Sequence, residues 1–226
     1  MNTIEAIYAR KSMRAFVPEK TVDEAVLREL VEIAGRAPSW SSSQPWEVYV
    51  VTGKKLAALK SLWRKEMAAG MPANFNRSDI PGPGYDDWKE TPKCVQNMVR
   101  WKENRVEVTG LSNDEHGQLI GQGIANFFDA PACVYLCLHK SLSYYSYYDL
   151  GAFGQTFMLA ATEKGLHTLP AYGPALFADI AHKEIGIPAD LSIVLGIYIG
   201  RADLDHIMNK PNAEHMTPDQ YLTIVS

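Results

Sequence analysis

The sequence predicts one globular domain in which α-helices and β-strands alternate. Hydrophobic residues make up 46% of the 226 positions, which is enough apolar surface for a sizeable core at this length. Segments with helical spacing of apolar residues alternate with short apolar runs typical of strands, and no repeat is present. No linker rich in proline, glycine or serine divides the chain, so we treat residues 1–226 as a single domain.

The first predicted elements are a helix, a strand and a second helix. Between residues 21 and 34 apolar side chains recur with helical period, and Thr21 followed by Glu24 has the spacing of a capping box. The run "WEVYVVTG" (46–53) is β-branched and aromatic and is bounded by proline and glycine, which predicts a strand. Helical spacing returns in the segment that ends at Trp63. A strand therefore leads directly into a helix.

The later elements follow the same alternation. Residues 131–139 and 191–200 are short apolar runs that predict buried strands. Residues 149–164 lie between them, carry few charges and stop at Gly165, so we expect a helix buried on most sides with a glycine C-cap. Residues 177–186 predict a shorter helix that ends at a glycine.

Two segments depart from this alternation. The stretch "GMPANFNRSDIPGPG" (70–84) is rich in proline and glycine and predicts an irregular loop, a type of segment that often serves as a lid or binding segment. We expect a variable lid or insert over about residues 65–125. The run "SYYSYYD" (143–149) allows a stacking platform for bases, but the acidic composition favours a half-buried loop that precedes the next helix.

Composition excludes several classes of partner. The formal net charge is −4, the pI is about 5.9, and Lys plus Arg account for only 22 residues, whereas a nucleic-acid-binding protein is expected to carry a basic surplus. The N-terminus reaches charged residues without an apolar signal region, and no run approaches the roughly 18 apolar residues of a membrane span. We therefore expect a cytoplasmic protein with neither nucleic acid nor membrane as its partner.

The cysteines and histidines do not predict a metal centre. Cys94, Cys133 and Cys137 are odd in number and lack zinc-site spacing. Cys133 and Cys137 fall inside a predicted buried strand, where cysteine behaves as a small hydrophobic residue. The six histidines show no paired metal-binding spacing. We expect the two strand cysteines to pack in the core.

The stretch "YARKSMRAF" (8–16) carries a cluster of cations around a hydroxyl. Arg10, Ser12 and Arg14 alternate, so in an extended segment they project from one side while Lys11 points away. Arginine and serine donors in this arrangement suit a phosphate group. No G-x-G-x-x-G motif follows a strand and no Walker A motif is present. The pattern alone leaves two possibilities open, a phosphate site and an ordinary solvated surface segment.

A second stretch, "RAPSWSSSQPWEVYVV" (36–51), combines with the first into a family pattern. Taken alone it is a polar turn or a set of donors for a ligand. Together, "RKSMR" and this stretch resemble the R-x-S-x-R/K and A-P-S-x-x-N-x-Q-P-W segments of the FMN-dependent nitroreductase family. The resemblance continues in "NFFDAPACVYL" (126–136), "DLGAFGQTFMLAATEKGLHTLP" (149–170) and "IGIPADLSIVLGIYIGRAD" (185–203), and it leaves only residues 65–125 unmatched.

The resemblance implies a fold and a cofactor site. The implied fold is α+β, a nitroreductase-like three-layer α-β-α arrangement with a mixed, mainly antiparallel central sheet in an intertwined homodimer. FMN is implied at the subunit interface, where the N-terminal cations grip its phosphate and ribityl chain, the serine-rich turn approaches from the partner subunit, and a backbone N–H of the turn after residue 169 faces flavin N5. The implied cofactor-binding residues are Arg10, Lys11, Ser12, Arg14, Pro38, Ser39, Trp40, Ser41, Ser42, Gln44, Pro170, Ala171, Tyr172, Gly173 and Arg201.

The sequence departs from the family pattern at several of these places. Ser42 stands where the family commonly has Asn, and Trp40 replaces a small residue. Tyr172 stands where some members carry Glu. The family usually has basic residues for the phosphate near the C-terminus, but Asn212 and His215 occupy the positions that align with them. Lys210 and Arg201 are the basic side chains that we consider as substitutes.

The implied activity is electron transfer from NADH or NADPH, through flavin N5 in a ping-pong cycle, to a nitroaromatic or quinone acceptor. No side chain is identified as catalytic. We expect acceptor choice to depend on the unmatched middle segment, with Phe75, Tyr85, Trp88 and Trp101 as pocket-lining or core-packing side chains. The alternatives are the same fold used for flavin destruction or reductive dehalogenation, and a flavin-binding protein without turnover.

Overall fold

A computed structural model describes residues 1–70, 77–82 and 85–226, without the side chains of residues 85 and 86. Much of the loop expected over residues 70–84 therefore lies outside the described residues. The stretch 77–82 is irregular, as the sequence predicts.

The described strands form one sheet. They are β1 (Glu47–Thr52), β2 (Ala132–His139), β3 (His167–Ala171) and β4 (Leu191–Gly200), in the spatial order β1-β2-β4-β3. Each neighbouring pair is antiparallel. An isolated parallel bridge joins Ser12 to Thr168 at the β3 edge. The sheet of described strands is therefore antiparallel, with one parallel bridge outside these strands, and the predicted α+β class is confirmed.

Helices cover both faces of this sheet. The described helices are α1 (Thr3–Ala9), α2 (Glu24–Ala34), α3 (Gly53–Ala68), α4 (Pro92–Thr109), α5 (Asn113–Asn126), α6 (Tyr144–Glu163) and α7 (Ala178–Ile185). Leu59 and Trp63 of α3, together with residues of α7, pack on one face, and Leu30 of α2 and Phe157 of α6 pack on the other. This arrangement gives the expected three layers.

Strand β2 lies at the centre of the core because its side chains alternate between the two layers. Tyr135 faces the α3 side and Val134 and Leu136 face the α2 side, and all three are buried. Cys133 and Cys137 pack in the α3-side core, as predicted. Burial raises the pKa of the Cys137 thiol to about 12, so this cysteine serves as an apolar core residue.

Two local predictions are wrong. Helix α2 begins at Glu24 because the Asp23 carboxylate caps it, accepting from the Ala25 N–H at 3.0 Å, so the capping box at Thr21 does not form. The tyrosine run is not a half-buried loop. It forms the first turns of α6, where Ser146 and Asp149 are buried three residues apart and the intervening tyrosines lie outside.

Strand β3 has no counterpart among the predicted strands. Its sequence, "HTLPA", contains Pro170, which suggests a turn. Within the sheet β3 is the edge strand next to β4, its outer side is bridged to Ser12 at Thr168, and Pro170 lies opposite Ile197. Proline lacks a backbone N–H, and it is tolerated in an edge strand because such a strand makes fewer ladder hydrogen bonds than a central one.

Among the described helices, no segment has both the length and the apolar character needed to cross a membrane.

Candidate functional site

The N-terminal cations follow α1 in an extended segment held against the sheet. The Met13 N–H donates to the Thr168 carbonyl oxygen at 3.1 Å, and the Phe16 N–H donates to that of Phe128 at 3.0 Å. The side chains of Met13 and Ala15 are buried. Because side chains alternate along an extended backbone, this anchoring turns Arg10, Ser12 and Arg14 outward.

These positions line a cavity of about 640 Å³. Its walls come from the N-terminal segment, from α4 and from the chain after residue 210. The lining residues are Tyr8, Ala9, Arg10, Lys11, Ser12, Arg14, Trp101, Pro211, Asn212, Ala213 and His215. The four N-terminal site residues predicted from the sequence thus meet at one cavity, together with both positions at which the family pattern has basic residues.

Arg14 is a half-buried cation without a counter-ion. Its guanidinium lies over the Trp101 ring, with 5.3 Å between Cζ and the ring centroid, and Nη1 donates to the Ser12 carbonyl oxygen at 3.4 Å. No ion pair among the described residues includes it. Burial lowers the pKa of Arg14, and the positive charge of Arg105 lowers it further. An anion beside Arg14 would offset both costs.

Arg10 and Ser12 line the same cavity as Arg14, and their side chains can donate hydrogen bonds to a ligand there. Neither the Arg10 guanidinium nor the Ser12 hydroxyl has a hydrogen-bond partner among the described side chains or carbonyl groups. Planar guanidinium donors and a hydroxyl on one wall of a cavity form a suitable cradle for a phosphate group. The residues present therefore fit the phosphate end of FMN.

Lys11 has a different task from its neighbours. Its ammonium group donates to the carbonyl oxygens of Asn209 at 2.7 Å and Lys210 at 3.3 Å. Burial, Lys210 and Arg14 all lower the pKa of Lys11. Lys11 thus fastens the C-terminal segment that forms the opposite wall of the cavity.

The sequence analysis missed Asn209. This side chain is buried; its amide oxygen accepts from the Arg14 N–H at 2.6 Å, and its amide nitrogen donates to the carbonyl oxygens of Ala15 and Asp203. Asn209 therefore fixes the backbone of the cation segment. A lone asparagine in a polar stretch gives no signal of this role.

The two basic residues considered as substitutes for phosphate ligands do not line the cavity. The Lys210 ammonium group donates to the Leu204 carbonyl oxygen at 3.1 Å and lies near Asp205. The backbone carbonyl of Arg201 accepts from the Val17 N–H at 2.9 Å, but the Arg201 side chain is absent from the cavity lining. Arg201 is thus not brought together with the other predicted cofactor-binding residues.

The serine-rich turn lies on another part of the surface. It forms a short 3-10 turn (Trp40–Ser42). The carboxylate of the buried Asp149 holds the first residue of this turn in place by accepting from the Trp40 N–H at 3.0 Å. The Ser39 hydroxyl accepts from the Gln44 N–H at 2.9 Å. Ser41, Ser42 and Gln44 all have positive φ, at 49°, 58° and 46°. Three non-glycine residues in the left-handed region form a strained segment of the kind that occurs at ligand sites.

This turn lines a second cavity of about 600 Å³. The lining residues are Pro38, Ser39, Trp40, Tyr144, Tyr145, Tyr148 and Asp149. No described residue lines both this cavity and the Arg10 cavity. Within one chain, the structure therefore leaves the N-terminal cations and the serine-rich turn at separate surfaces.

The third predicted group lies at the end of β3. Pro170 and Ala171 belong to β3, which contacts the cation segment through Thr168, and Tyr172 and Gly173 follow in a turn. The Gly173 carbonyl oxygen accepts from Trp63 Nε1 at 2.9 Å. A Cβ at Gly173 would lie 2.9 Å from the Tyr198 hydroxyl, so a side chain does not fit there.

Residues 77–82 pack beside this turn. The Tyr172 hydroxyl donates to Ser78 Oγ at 2.5 Å, and a Cβ at Gly82 would lie 2.9 Å from the Tyr172 ring. Of the four aromatic residues expected in the middle segment, Trp101 lines the cavity and Trp88 is half-buried. Phe75 and the Tyr85 side chain lie outside the described residues.

The fold and this site match a known family. The model of the nitroreductase family matches residues 7–201, and the chain belongs to this family. It is thus an oxidoreductase of the nitroreductase class, as the motifs in its sequence predict.

Named relatives extend the match over nearly the whole chain. A 4-nitrobenzoate reductase of Pseudomonas putida is 29% identical over 205 residues, covering 90% of this chain and 86% of that protein. A chloronitrobenzene nitroreductase of Comamonas testosteroni is 26% identical over 225 residues, covering 98% and 96%. The FMN and NADPH-dependent nitroreductase NfnB of Sphigopyxis sp. strain HMH has a crystal structure that superposes with a TM-score of 0.88 at 26% identity over 100% of both chains.

Proposed function

We propose that this protein uses bound FMN to pass electrons from NADPH or NADH to a nitroaromatic or quinone acceptor in a ping-pong cycle. Relatives named as reductases of 4-nitrobenzoate and chloronitrobenzene support the nitroaromatic acceptor. The similar structure described as FMN and NADPH-dependent supports both cofactors. The observation that carries the proposal is Arg14, a half-buried cation that forms no ion pair with the described residues and lies beside Arg10 and Ser12, whose side-chain donors have no partner among those residues.

Each part of the site has a distinct role in this proposal. Arg10, Ser12 and Arg14 bind the phosphate and ribityl end of FMN through charge-assisted hydrogen bonds. Lys11 holds the opposite wall in place by fastening the C-terminal segment. The turn at Gly173 presents backbone to the ring system, and the close approach of the Tyr198 hydroxyl to Gly173 helps to fix the position of this turn. When bound, FMN would supply the hydride-transfer chemistry between the nicotinamide and the acceptor.

We further propose that the complete site is formed by two copies of the chain. The turn at residues 38–44 lines a different cavity from the cations of its own chain, and it is strained as ligand-contacting turns often are. In a symmetric dimer the partner's turn completes the site that begins at Arg10. The exposed rings of Trp40, Tyr144 and Tyr148 give that side of the molecule an apolar surface suited to such an interface.

An anaerobic titration tests the proposed function. The purified protein should carry a flavin absorbance band, which NADPH or NADH should bleach stoichiometrically. A nitroaromatic added afterwards should restore the band, and initial rates at several fixed acceptor concentrations should give parallel double-reciprocal lines. Colourless protein that takes up no added FMN would contradict the proposal. Loss of the flavin itself in the presence of oxygen would instead support the flavin-destroying alternative.

A further inference from the structure

Helix α4 carries a second arginine, Arg105, that forms no ion pair within the described part of the chain. Arg105 Cζ lies 5.7 Å from the centroid of the Trp101 ring, which also contacts Arg14. The Nε atom of Arg105 is buried without a hydrogen-bond partner in the described part of the molecule. Burial lowers the pKa of Arg105. Two guanidinium groups thus meet at one indole ring, and no carboxylate among the described residues forms an ion pair with either.

The surroundings of Arg105 contain further polar atoms without partners. Trp101, Arg105 and Thr109 lie one turn apart on the same face of α4. The Thr109 hydroxyl contacts His116 Nε2 at 2.8 Å, whereas His116 Nδ1 is buried and unpaired among the described residues. The amide oxygen of Asn104 is also buried and has no hydrogen-bond partner among the described residues. Buried polar atoms are nearly always satisfied, so the unpaired atoms of Asn104, Arg105 and His116 distinguish this part of the described structure.

We propose that Arg105 and Arg14 together bind one oxyanion group, a phosphate or a carboxylate, beside Trp101. An oxyanion would relieve the repulsion between the two cations and accept from their guanidinium N–H groups, whose forks match the geometry of both groups. Arg105 does not itself line the Arg10 cavity, but its guanidinium contacts the Trp101 ring, which does. Asn212 and His215 stand where basic side chains are expected, so a cation from α4 would supply charge that the C-terminal segment does not. This inference rests on the proposed function and adds a residue to its site.

The oxyanion has two possible sources, the FMN phosphate and a carboxylate on an aromatic acceptor. The first experimental arm compares FMN with riboflavin, which lacks the phosphate, by fluorescence titration of the flavin-free protein. If Arg105 binds the phosphate, Arg105→Gln weakens FMN binding by roughly tenfold to a hundredfold, the value of a charge-assisted hydrogen bond, and leaves riboflavin binding unchanged.

The second arm compares 4-nitrobenzoate with nitrobenzene as acceptors. If Arg105 binds an acceptor carboxylate, Arg105→Gln raises the KM for 4-nitrobenzoate by a similar factor and leaves that for nitrobenzene unchanged. Arg105→Lys retains the charge without the planar fork and should recover part of either loss.

Lys102→Gln is the matched control. It removes the same charge from an exposed position of α4 and should change neither arm. The inference is overturned if Arg105→Gln behaves like Lys102→Gln in both arms. It is also overturned if the only effect of Arg105→Gln is a lower melting temperature or a dissociated dimer, because Arg105 would then have a structural role. If the wild-type protein binds no FMN, the proposed function fails. If the wild-type protein binds FMN and Arg105→Gln changes neither arm, only the inference about Arg105 fails.

Discussion

Arg14 concentrates several opposing effects in one side chain. Contact with Trp101 and the hydrogen bond to the Ser12 carbonyl oxygen hold its guanidinium. Burial and the charge of Arg105 act against it. A cation–π contact contributes only about 0.5–1 kcal/mol at a partly exposed site, so these contacts do not fully offset the desolvation of a charge. Such a residue is better explained by ligand binding than by stability.

The first prediction separates these roles. Arg10→Ala and Arg14→Ala should each weaken FMN binding by about tenfold, and the double variant should weaken it more than either single change, because one remaining cation still partly neutralises the phosphate. Fluorescence quenching on FMN addition measures this. The melting temperature of the flavin-free protein should change little. Unaltered FMN affinity in the double variant would show that the phosphate binds elsewhere.

His167 gives the fold a dependence on pH. Its Nδ1 atom accepts from the Ala202 N–H at 3.2 Å, and burial together with the charge of Arg201 lowers its pKa. The unfolded chain takes up a proton near pH 6.5, where the folded protein resists protonation. Proton binding therefore favours unfolding, and stability should fall as the pH drops below about 6.5.

The second prediction uses His167→Gln, which keeps a possible acceptor and removes the titration. Between pH 7.5 and 5.5 the wild-type free energy of unfolding should fall by up to about 1 kcal/mol more than that of the variant, a modest value because His167 is only half-buried. Urea unfolding at both pH values measures the difference. Parallel pH profiles for the two proteins would remove His167 from this role.

At the scale of elements, β4 supports the turn that follows β3. Gly196 of β4 faces Pro174, and a Cβ at position 196 would lie 2.3 Å from Pro174 Cγ. Pro174 directly follows Gly173, whose carbonyl oxygen is held by Trp63 of α3. The position of the turn is thus fixed by the packing of Pro174 on Gly196 of β4 and by the hydrogen bond from Trp63 of α3 to Gly173.

The third prediction concerns this contact. Gly196→Ala should destabilise the protein by about 1–3 kcal/mol, the usual cost of overpacking a core, and should also weaken flavin binding because Pro174 and Gly173 must move together. Gly117→Ala is the control, since a Cβ in α5 at that position meets nothing within 4 Å, and it should raise stability by up to about 1 kcal/mol. Thermal unfolding and FMN titration of both variants provide the test. Gly196→Ala with wild-type values would show that the turn is not held in this way.

At the scale of the whole molecule, the site residues divide into two groups on separate surfaces. The cations contact β3 through Thr168, whereas the strained turn is held by Asp149 of α6. A two-fold dimer that joins the cations of one copy to the turn of the other reconciles this separation with the proposed cofactor site.

The fourth prediction tests this sharing by mixing two inactive variants. One carries Arg10→Ala with Arg14→Ala, and the other carries bulky or charged substitutions in the turn, such as Ser39→Trp with Ser41→Glu. After unfolding and joint refolding, half of the dimers are mixed, and each mixed dimer has one intact site of two, so activity should return to roughly a quarter of the wild-type value. Each variant refolded alone is the control. No recovery in the mixture would place both groups of residues in the same subunit's site.

Much of the fold could be predicted from the sequence because it depends on local patterns. Apolar spacing located α2, α3, α7 and the three longer strands within a few residues. The start of α6 and strand β3 were not predicted, since the first carries exposed tyrosines and the second contains a proline. Both depend on the surroundings, α6 on the side chains that it buries and β3 on its position at the sheet edge.

The sequence by itself determined the family, the three longer strands with the helices α2, α3 and α7, and the alternating cations of the N-terminal segment, because these follow from residue type and short-range spacing. Only the tertiary structure decided that Trp101, Asn209, Asn212 and His215 meet those cations, that Arg201 does not line their cavity, and that Arg105 shares the Trp101 ring with Arg14. The hydrogen bond between Arg14 and Asn209 joins residues 195 positions apart. Contacts over that distance are set by the packing of whole layers, and short-range sequence patterns carry no record of them.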